Sequence, residues 1–362
     1  MQAPFPLLER VRKIAVLRPN AVGDFVFALP ALHALKQAYP AAELVYVGKP
    51  WHADFLRARP GPVDRVLVLP PVAGVGAALD AGIDPLHGER FLDAMRAERF
   101  DIAAQMFGGG RHSNPFMARF GARLTVGAKA DDAPPLQRWV RYGEPANRRL
   151  ALLEVAALAG ARPAPLGQEL AVLDADRCAA NAVLAPTRGT PLAVLQPGST
   201  DPRRCWPAAR FAAVGDALAR DGVQVAVNGT AAEAPLVRAV IEAMRHPAAD
   251  LSGKLSLGGL CGLIERAQLV VSNDTGPLHL ALALGTPCVG IFWLTNLVDG
   301  MPLRQSLLRA ALSVRVHCPV CGAENRASRC AHDASFVADV TVEEVTSMAT
   351  SLLRAGGQVQ YR

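Results

Sequence analysis

The stretch from Leu269 to Trp293, LVVSNDTGPLHLALALGTPCVGIFW, limits what this chain can fold into more than any other. An apolar run ends in the polar knot Ser272-Asn273-Asp274-Thr275-Gly276, a helix-like segment follows from Pro277, and Gly285-Thr286-Pro287 turns the chain into a second apolar run. Near-continuous apolar strands on either side of a short helix specify a parallel sheet covered on both faces. Such a sheet takes its ligand outside the carboxyl ends of its strands, where a helix beginning at Pro277 has its unpaired N–H groups. An anion, phosphate above all, suits that place. His279 in the first turn can add a donor or a positive charge, and Thr275 a hydroxyl. The simpler alternative is that Asp274 and Thr275 only cap the helix and His279 is a packed polar side chain.

The chain has 362 residues, 51% of them hydrophobic and 19% charged, so it is globular and large enough for two medium domains. Its 38 basic residues exceed its 32 acidic ones, which fits a phosphorylated small molecule or an anionic surface. No polybasic tail is present, and nucleic acid is not an expected partner. The start, MQAPFPLLERVRKIAVLR, lacks a secretory pattern and no apolar run is long enough to span a bilayer, so a cytoplasmic protein is expected, with room for peripheral attachment at the inner membrane. In a reducing compartment its seven cysteines are thiols or ligands rather than disulfides.

Arg12 to Arg18 reads as a strand, followed by the turn PNAVGD and a helix that lasts until Pro40. Further strands are expected at Leu44–Val47, Val66–Leu69 and Asp101–Met106, with helices at Trp51–Arg57, His87–Arg99, Ser113–Phe120 and Asn147–Gly160. Pro70 to Pro85, rich in Ala, Gly and Pro, reads as a loop or a loosely held helix. The closely spaced prolines of Ala161–Gly167 and the helix around Arg177–Leu184 place a domain boundary between Ala161 and Thr190. The second half repeats the style of the first: strands at Leu192–Leu195 and Val223–Val227, helices at Pro207–Arg220, Glu233–Met244 and Leu257–Ala267, and a last helix at Thr341–Leu353. The expected organisation is an α/β domain over residues 1–170, a second over 185–340 that includes a Cys-rich segment at 317–332, and a terminal helix and tail over 341–362.

The first turn, Arg18 to Asp24, has neither the GxGxxG spacing of a dinucleotide site nor the GK[ST] ending of a phosphate loop, which argues against hydride transfer and P-loop kinase chemistry. Gly23 allows close backbone approach, and Asp24 either removes a proton from an acceptor hydroxyl or caps a helix beginning at Phe25. The Phe107-Gly108-Gly109-Gly110-Arg111 element closes another strand at a carboxyl edge. Arg18, Asn20, Gly23 and Arg111 are therefore the acceptor-side candidates.

RKIAVLRPNAVGDFVFALPALHALKQAYPAAELVYV resembles the opening of glycosyltransferase family 9, the bacterial heptosyltransferases; LQPGSTDPRRCWPAARFAAVGDAL and VVSNDTGPLHLALALGTPCVGIFWLTN resemble that family's second-domain entry and donor-site stretches. The resemblance implies a GT-B architecture, two Rossmann-like domains facing across a cleft, with metal-independent, inverting transfer. The first domain would hold the acceptor and the second a nucleotide-activated sugar, heptose on ADP in the leading case, with lipopolysaccharide inner core as the glycolipid acceptor. It puts the catalytic aspartate on Asp24 and the phosphate and sugar contacts on Asp274, Thr275, Gly276 and His279. One carboxylate opposite a set of donors suffices for in-line displacement of a diphosphate. Two departures stand out: Arg204 where the family usually has lysine, and Gln196 where it usually has histidine. Arginine grips phosphate bidentately but does not give up a proton.

Gly198, Ser199 and Thr200 can set N–H groups and hydroxyls against a diphosphate, with Arg203 and Arg204 beside them unless that pair is a solvated surface pair. Asn228, Thr230 and Glu233 fall where the resembled family holds the nucleoside, Glu233 being either a ribose acceptor or a polar helix start. The loop Leu251–Leu257 resembles the base-flanking loop. Cys318, Cys321, Cys330 and His332 form a CxxC knuckle with a third thiol and an imidazole, next to His317, and can make a structural zinc or iron site, a redox pair or plain thiols. Catalysis itself requires no cofactor on this reading. The alternatives are transfer to a protein or another glycan, since Cys-containing tails that bind metal occur in protein-modifying members of the resembled family, and a non-catalytic sugar-nucleotide-binding protein. A nucleotide-sugar epimerase would need a dinucleotide site that the first turn does not supply.

Overall fold

Every pairing among the strands of this computed structural model is parallel, and the strands form two six-stranded sheets. The structure describes residues 5–81, 85–143, 146–163, 167–326 and 328–359. They fall into two units, Met1–Ala171 and Val172–Arg362.

The first unit runs β1 (Lys13–Leu17), α1 (Val22–Ala38), β2 (Glu43–Gly48), α2 (Pro50–Leu56), β3 (Arg65–Val68), α3 (Pro85–Glu98), β4 (Ile102–Gln105), α4 (Ser113–Ala118), β5 (Leu124–Lys129), β6 (Arg138–Arg141) and α5 (Arg148–Leu158). Its sheet order is β3-β2-β1-β4-β5-β6. Ile14, Ala15, Val16 and Leu17 are fully buried, as a central strand covered on both faces requires. Between α1 and α2 lies an aromatic cluster in which His52, fully buried, stacks on Trp51 and meets Phe25 and Tyr46. Burial holds the His52 pKa down to about 3, so its ring is neutral and accepts the Lys49 N–H at Nδ1.

The second unit runs α6 (Asp174–Val183), β7 (Leu192–Gln196), α7 (Ala208–Arg220), β8 (Gln224–Val227), α8 (Ala234–Ala243), β9 (Ala249–Asp250), α9 (Leu257–Arg266), β10 (Leu269–Asn273), α10 (Gly276–Leu284), β11 (Cys288–Trp293), α11 (Leu294–Gly300), β12 (Leu308–Ser313) and α12 (Val342–Val359). Its sheet order is β12-β11-β10-β7-β8-β9. Read from the other edge, this is the order of the first unit, so both are Rossmann-like. α12 buries Val345, Ala349 and Leu352 in the same core as Trp206, Phe211 and Phe336. The terminal helix is therefore part of the second unit's packing.

Several expectations need correction. α1 begins at Val22, with Ala21 as its N-cap and no side-chain cap bond, so Gly23 and Asp24 lie inside the first helical turn and Asp24 caps nothing. α10 starts one residue before Pro277. Strands β5, β6, β9 and β12 were not foreseen. Of the Pro70–Pro85 loop, residues 82–84 lie outside the described residues, and Pro85 already opens α3.

Candidate active site

In a doubly wound sheet the ligand crevice lies at the carboxyl edge where the strand order reverses. In the first unit that point is between β1 and β4, and Arg18 bridges it. Its Nη1 donates to the Met106 carbonyl just past β4, its Nε to the Asp24 carbonyl (2.7 Å), and its Nη2 to Asp24 Oδ1 (3.1 Å). The Tyr46 hydroxyl fixes the Arg18 carbonyl at 2.7 Å. Arg18 is 5% exposed, whereas the Asp24 side chain is 38% exposed. Arg18 thus holds Asp24 in place and at the same time lines the cavity beside it. Burial lowers the Arg18 pKa and the Asp24 charge opposes that shift. Asp24 also sits in the first turn of α1, where the helix dipole favours an anion. Asn20, half-buried, follows β1 with its N–H on the Arg18 carbonyl at 2.9 Å.

A cavity of about 310 Å³ opens beside Arg18, within the usual range for small-molecule sites. Met106 and Gly108 form one side, and Val140, Leu152 and Val155 supply apolar wall. Arg141, Arg148 and Glu154 supply charge, and Arg148 Nη1 donates to the Tyr142 hydroxyl at 3.1 Å. Arg141 lies on β6, a strand the sequence reading does not find, while Arg148 and Glu154 lie on α5, the expected helix at Asn147–Gly160, without being expected to line a cavity. Arg111 does not line the cavity; it is exposed and pairs with Asp132 at 2.7 Å.

In the second unit the order reverses between β7 and β10, and the two loops there carry most of the expected donor residues. Thr275, the N-cap of α10, makes no side-chain cap bond, so the first-turn N–H groups of that helix are left to another acceptor. The Thr275 hydroxyl pairs with that of Ser272 at 3.3 Å. Asp274 is the hub of the cluster: Oδ2 accepts from Arg204 Nη1 at 3.3 Å and Oδ1 lies 3.0 Å from His279 Nε2. His279 is 3% exposed, and its ring meets Asp274. On the β7 side, Gly198 lies under the Glu233 carboxylate; a Cβ there would stand 1.9 Å from Glu233 Oε1. Glu233 Oε2 accepts the Thr230 N–H at 2.7 Å, completing a capping box. Ser199 is half-buried and Thr200 exposed.

Two expected donor contacts are drawn inward. Asn228 is buried, with Nδ2 on Gln196 Oε1 at 2.7 Å, so the residue standing in place of the family's usual histidine has a partner inside the sheet edge. Arg203 is clamped by Asp201, with Nη2 on Oδ2 at 2.7 Å, lies over the Trp293 ring and bonds Asn325 Oδ1 at 3.2 Å.

The Cys-rich segment converges as its spacing predicts. One ligand atom from each of Cys318, Cys321, Cys330 and His332 lies within 4.8 Å of the others. Ligands held about 2.3 Å from one ion stand at most about 4.6 Å apart, so a small closure completes a tetrahedron. Val320 N–H points to Cys318 Sγ at 3.4 Å, Gly322 takes φ +73° to turn the knuckle, and His332 Nδ1 is buried with no hydrogen bond among the described residues. The His332 N–H beside Cys330 lowers that thiol to about 6, which favours the thiolate a metal binds. These residues fit zinc or iron.

The model of glycosyltransferase family 9 (heptosyltransferase) matches residues 90–326. The chain belongs to glycosyltransferase family 9. It is a glycosyltransferase of α/β architecture with two parallel sheets. Lipopolysaccharide heptosyltransferase 2 of Salmonella typhimurium is 24% identical over 301 residues, covering 77% of this chain and 82% of that protein. Lipopolysaccharide heptosyltransferase 3 of Escherichia coli is 30% identical, but over 119 residues that span 32% of this chain and only 35% of that protein. Among solved structures, a family 9 glycosyltransferase from Veillonella parvula superposes with a TM-score of 0.77 at 20% identity, covering 95% of this chain and 97% of that one. The iron-containing dodecameric glycosyltransferase TibC from Escherichia coli shares the fold at a TM-score of 0.53 and 14% identity, over 97% of this chain and 78% of its own. Among the described residues no helix is long and apolar enough to cross a membrane.

Proposed function

We propose that this glycosyltransferase moves a heptose, or a closely related sugar, from an ADP-linked donor to the inner core of lipopolysaccharide, working at the cytoplasmic face of the inner membrane. The observation that carries the reading is the Arg18–Asp24 pair: a half-exposed carboxylate, oriented through one oxygen by a buried guanidinium, at the crevice of the first sheet. That leaves Oδ2 of Asp24 to take the proton of the acceptor hydroxyl. As it does so, the hydroxyl oxygen forms its bond to the anomeric carbon from the face opposite the diphosphate. The carbon–oxygen bond to the diphosphate breaks, its electron pair leaves with ADP, and the anomeric configuration inverts. The charge gained by ADP is met by Arg204 and by the first-turn N–H groups of α10. Asp274, held by Arg204 and His279, is suited to accept from sugar hydroxyls. Gly198 gives the Glu233 carboxylate room against the backbone after β7, and Ser199 and Thr200 alongside face the diphosphate. Thr230 and Glu233 border the nucleoside, and the cavity beside Arg18 receives the acceptor, with Asn20, Arg141 and Arg148 near its anionic groups. Cys318, Cys321, Cys330 and His332 hold a structural zinc or iron ion that takes no part in transfer.

Support comes from the lipopolysaccharide heptosyltransferases among the relatives and from the two switch-point clusters. A second reading, transfer of the same sugar to a protein, draws on the convergence of the Cys-rich segment. Purified protein incubated with ADP-heptose and, in parallel, with heptose-deficient lipopolysaccharide or an unmodified protein panel separates them. Labelled heptose on the glycolipid supports the first reading. Label on protein alone selects the second, and no turnover of any nucleotide sugar removes both.

A further inference from the structure

We propose that Arg203 and Asn325 are positioning residues of the donor site, and that through them metal held by the Cys-rich segment tightens the binding of ADP. The inference rests on the reading of the second unit given above, and goes beyond it by joining two places that the reading treats as independent.

The connection is a continuous set of polar contacts. Asn325 is 5% exposed and its Oδ1 accepts two bonds at once, from the Cys330 N–H (3.1 Å) and from Arg203 Nη1 (3.2 Å). Its Nδ2 donates to the Ala323 carbonyl at 2.9 Å, so the amide is gripped on both sides by the segment that carries the metal ligands. Arg203 passes the constraint on. Its Nε and Nη2 straddle the Asp201 carboxylate at 2.7 to 3.2 Å, and its own N–H is capped by Asp201 at 3.1 Å. Asp201 ends the loop Gly198–Thr200 and comes within 4.0 Å of Arg204 Nε, and Arg204 in turn holds Asp274. Two further bonds tie the same turn to the chain beyond the ligands: Phe336 N–H to the Arg203 carbonyl (2.8 Å) and Ser335 Oγ to the Cys205 carbonyl (2.7 Å).

The physical consequence follows from what a metal does to such a segment. Without an ion, the loss of four ligand bonds frees the stretch that bears Cys330 and His332. The Cys330 N–H then no longer fixes Asn325, and Arg203 loses the contact that sets its guanidinium against Asp201. Asp201 donates its N–H to the Ser199 hydroxyl at 3.4 Å and lies 4.0 Å from Arg204, so the groups that meet the diphosphate become less ordered before ADP arrives, and binding must order them. Occupancy at one site thus changes affinity at the other, and by linkage the effect is reciprocal.

The test uses the full chain, loaded with zinc or iron(II) under reducing conditions or stripped with a chelator, and titrated with ADP by calorimetry. Stripping should weaken ADP binding by about tenfold, within the usual range of coupling between sites. Arg203→Met keeps a side chain against Trp293 and all four metal ligands. In that variant, ADP should bind about as weakly as in the stripped wild type, whether or not metal is present. A residue with only a structural role would lower stability yet leave the ratio of loaded to stripped affinity unchanged. The reciprocal measurement needs no variant: saturating ADP should slow metal loss to a competing chelator and tighten metal binding by the same factor. Equal ADP affinities in loaded and stripped wild type overturn the coupling and leave the proposed function standing, as does an R203M protein in which stripping still costs tenfold. A loaded wild-type protein that binds no ADP, or a chain that takes up neither metal, overturns this inference together with the reading beneath it.

Discussion

The two units share one strand order and differ in what occupies the place where that order reverses. In the first, a single buried arginine spans β1 and β4 and presents one carboxylate, Asp24, with a cavity alongside. In the second, two arginines, two aspartates and a histidine interlock around β7 and β10, and helix N–H groups stand uncapped by any side chain. One topology therefore carries a single half-exposed carboxylate in one case and a near-neutral, donor-rich cradle in the other. The sheet chooses where a ligand sits, and the loops choose which charge it meets.

That contrast can be broken at each unit separately. Asp24→Asn should cut transfer by about a hundredfold or more while ADP affinity stays at the wild-type value, because the base lies in the first unit and the Oδ1 contact to Arg18 is kept. Near-normal turnover by a folded D24N protein would remove the carboxylate from the base role. Arg204→Ala should do the reverse, weakening ADP by about tenfold, the cost of one charged hydrogen bond to a diphosphate. Unchanged ADP affinity in calorimetry would put the phosphates elsewhere than on Asp274's partner.

Smaller effects sharpen the picture. Cys321→Ser should abolish the single equivalent of bound metal and lower Tm by about 5 °C, since a structural site contributes its binding free energy to folding. Elemental analysis and a thermal melt decide it, and metal content equal to wild type would exclude Cys321 as a ligand. Gly198→Ala adds a Cβ only 1.9 Å from Glu233 Oε1, so the carboxylate must swing away and release the Thr230 N–H. A lost cap costs about 1 kcal/mol, read as a small fall in stability and a few-fold loss of ADP affinity; identical melts for the two proteins would show that the contact is idle. Smallest at neutral pH is His52 in the first unit. Its folded pKa of about 3 lies below the unfolded value of about 6.5, so the stability it represents is full above about pH 6.5 and drains away as pH falls towards 3. His52→Asn should flatten that part of the pH–stability curve, and a curve parallel to wild type would show that the ring does not titrate on unfolding.

Much of this was legible from residues close together in the chain. The strand–turn–helix of Leu269–Leu284 announces itself because its apolar runs are unbroken and its polar knot is short. The convergence of Cys318, Cys321, Cys330 and His332 follows from spacing within one loop. What escaped was of two kinds. β6, RWVR, alternates arginine with apolar residues on a sheet edge, and β12, LRAALS, carries Arg309 among small residues; neither shows the continuous hydrophobicity of the central strands. With β6 unread, one wall of the cavity beside Arg18 had no place, although the other lies on the expected helix α5. The other kind is long-range pairing: Arg203 meets Asn325 from 122 residues away, and Arg204 meets Asp274 from 70. Nothing local in PRRC says which arginine turns inward to an asparagine and which stays beside an aspartate. Asp24 itself read equally well as a cap until the helix start at Val22 decided against it.

The strand order also governs how each half must be made. The first strand synthesised in each unit, β1 or β7, ends up in the middle of its sheet, with its second neighbour arriving only after two more strands have emerged. Until β4 is translated, one edge of the fully buried Ile14–Leu17 strand has no pairing partner, and the Leu192–Gln196 strand waits likewise for β10. Such an edge on a growing chain is a template for the wrong neighbour, including the equivalent strand of another nascent copy. The same winding that creates a ligand crevice between the two middle strands thus leaves a strand edge waiting for its partner while the chain is being made, and it does so twice.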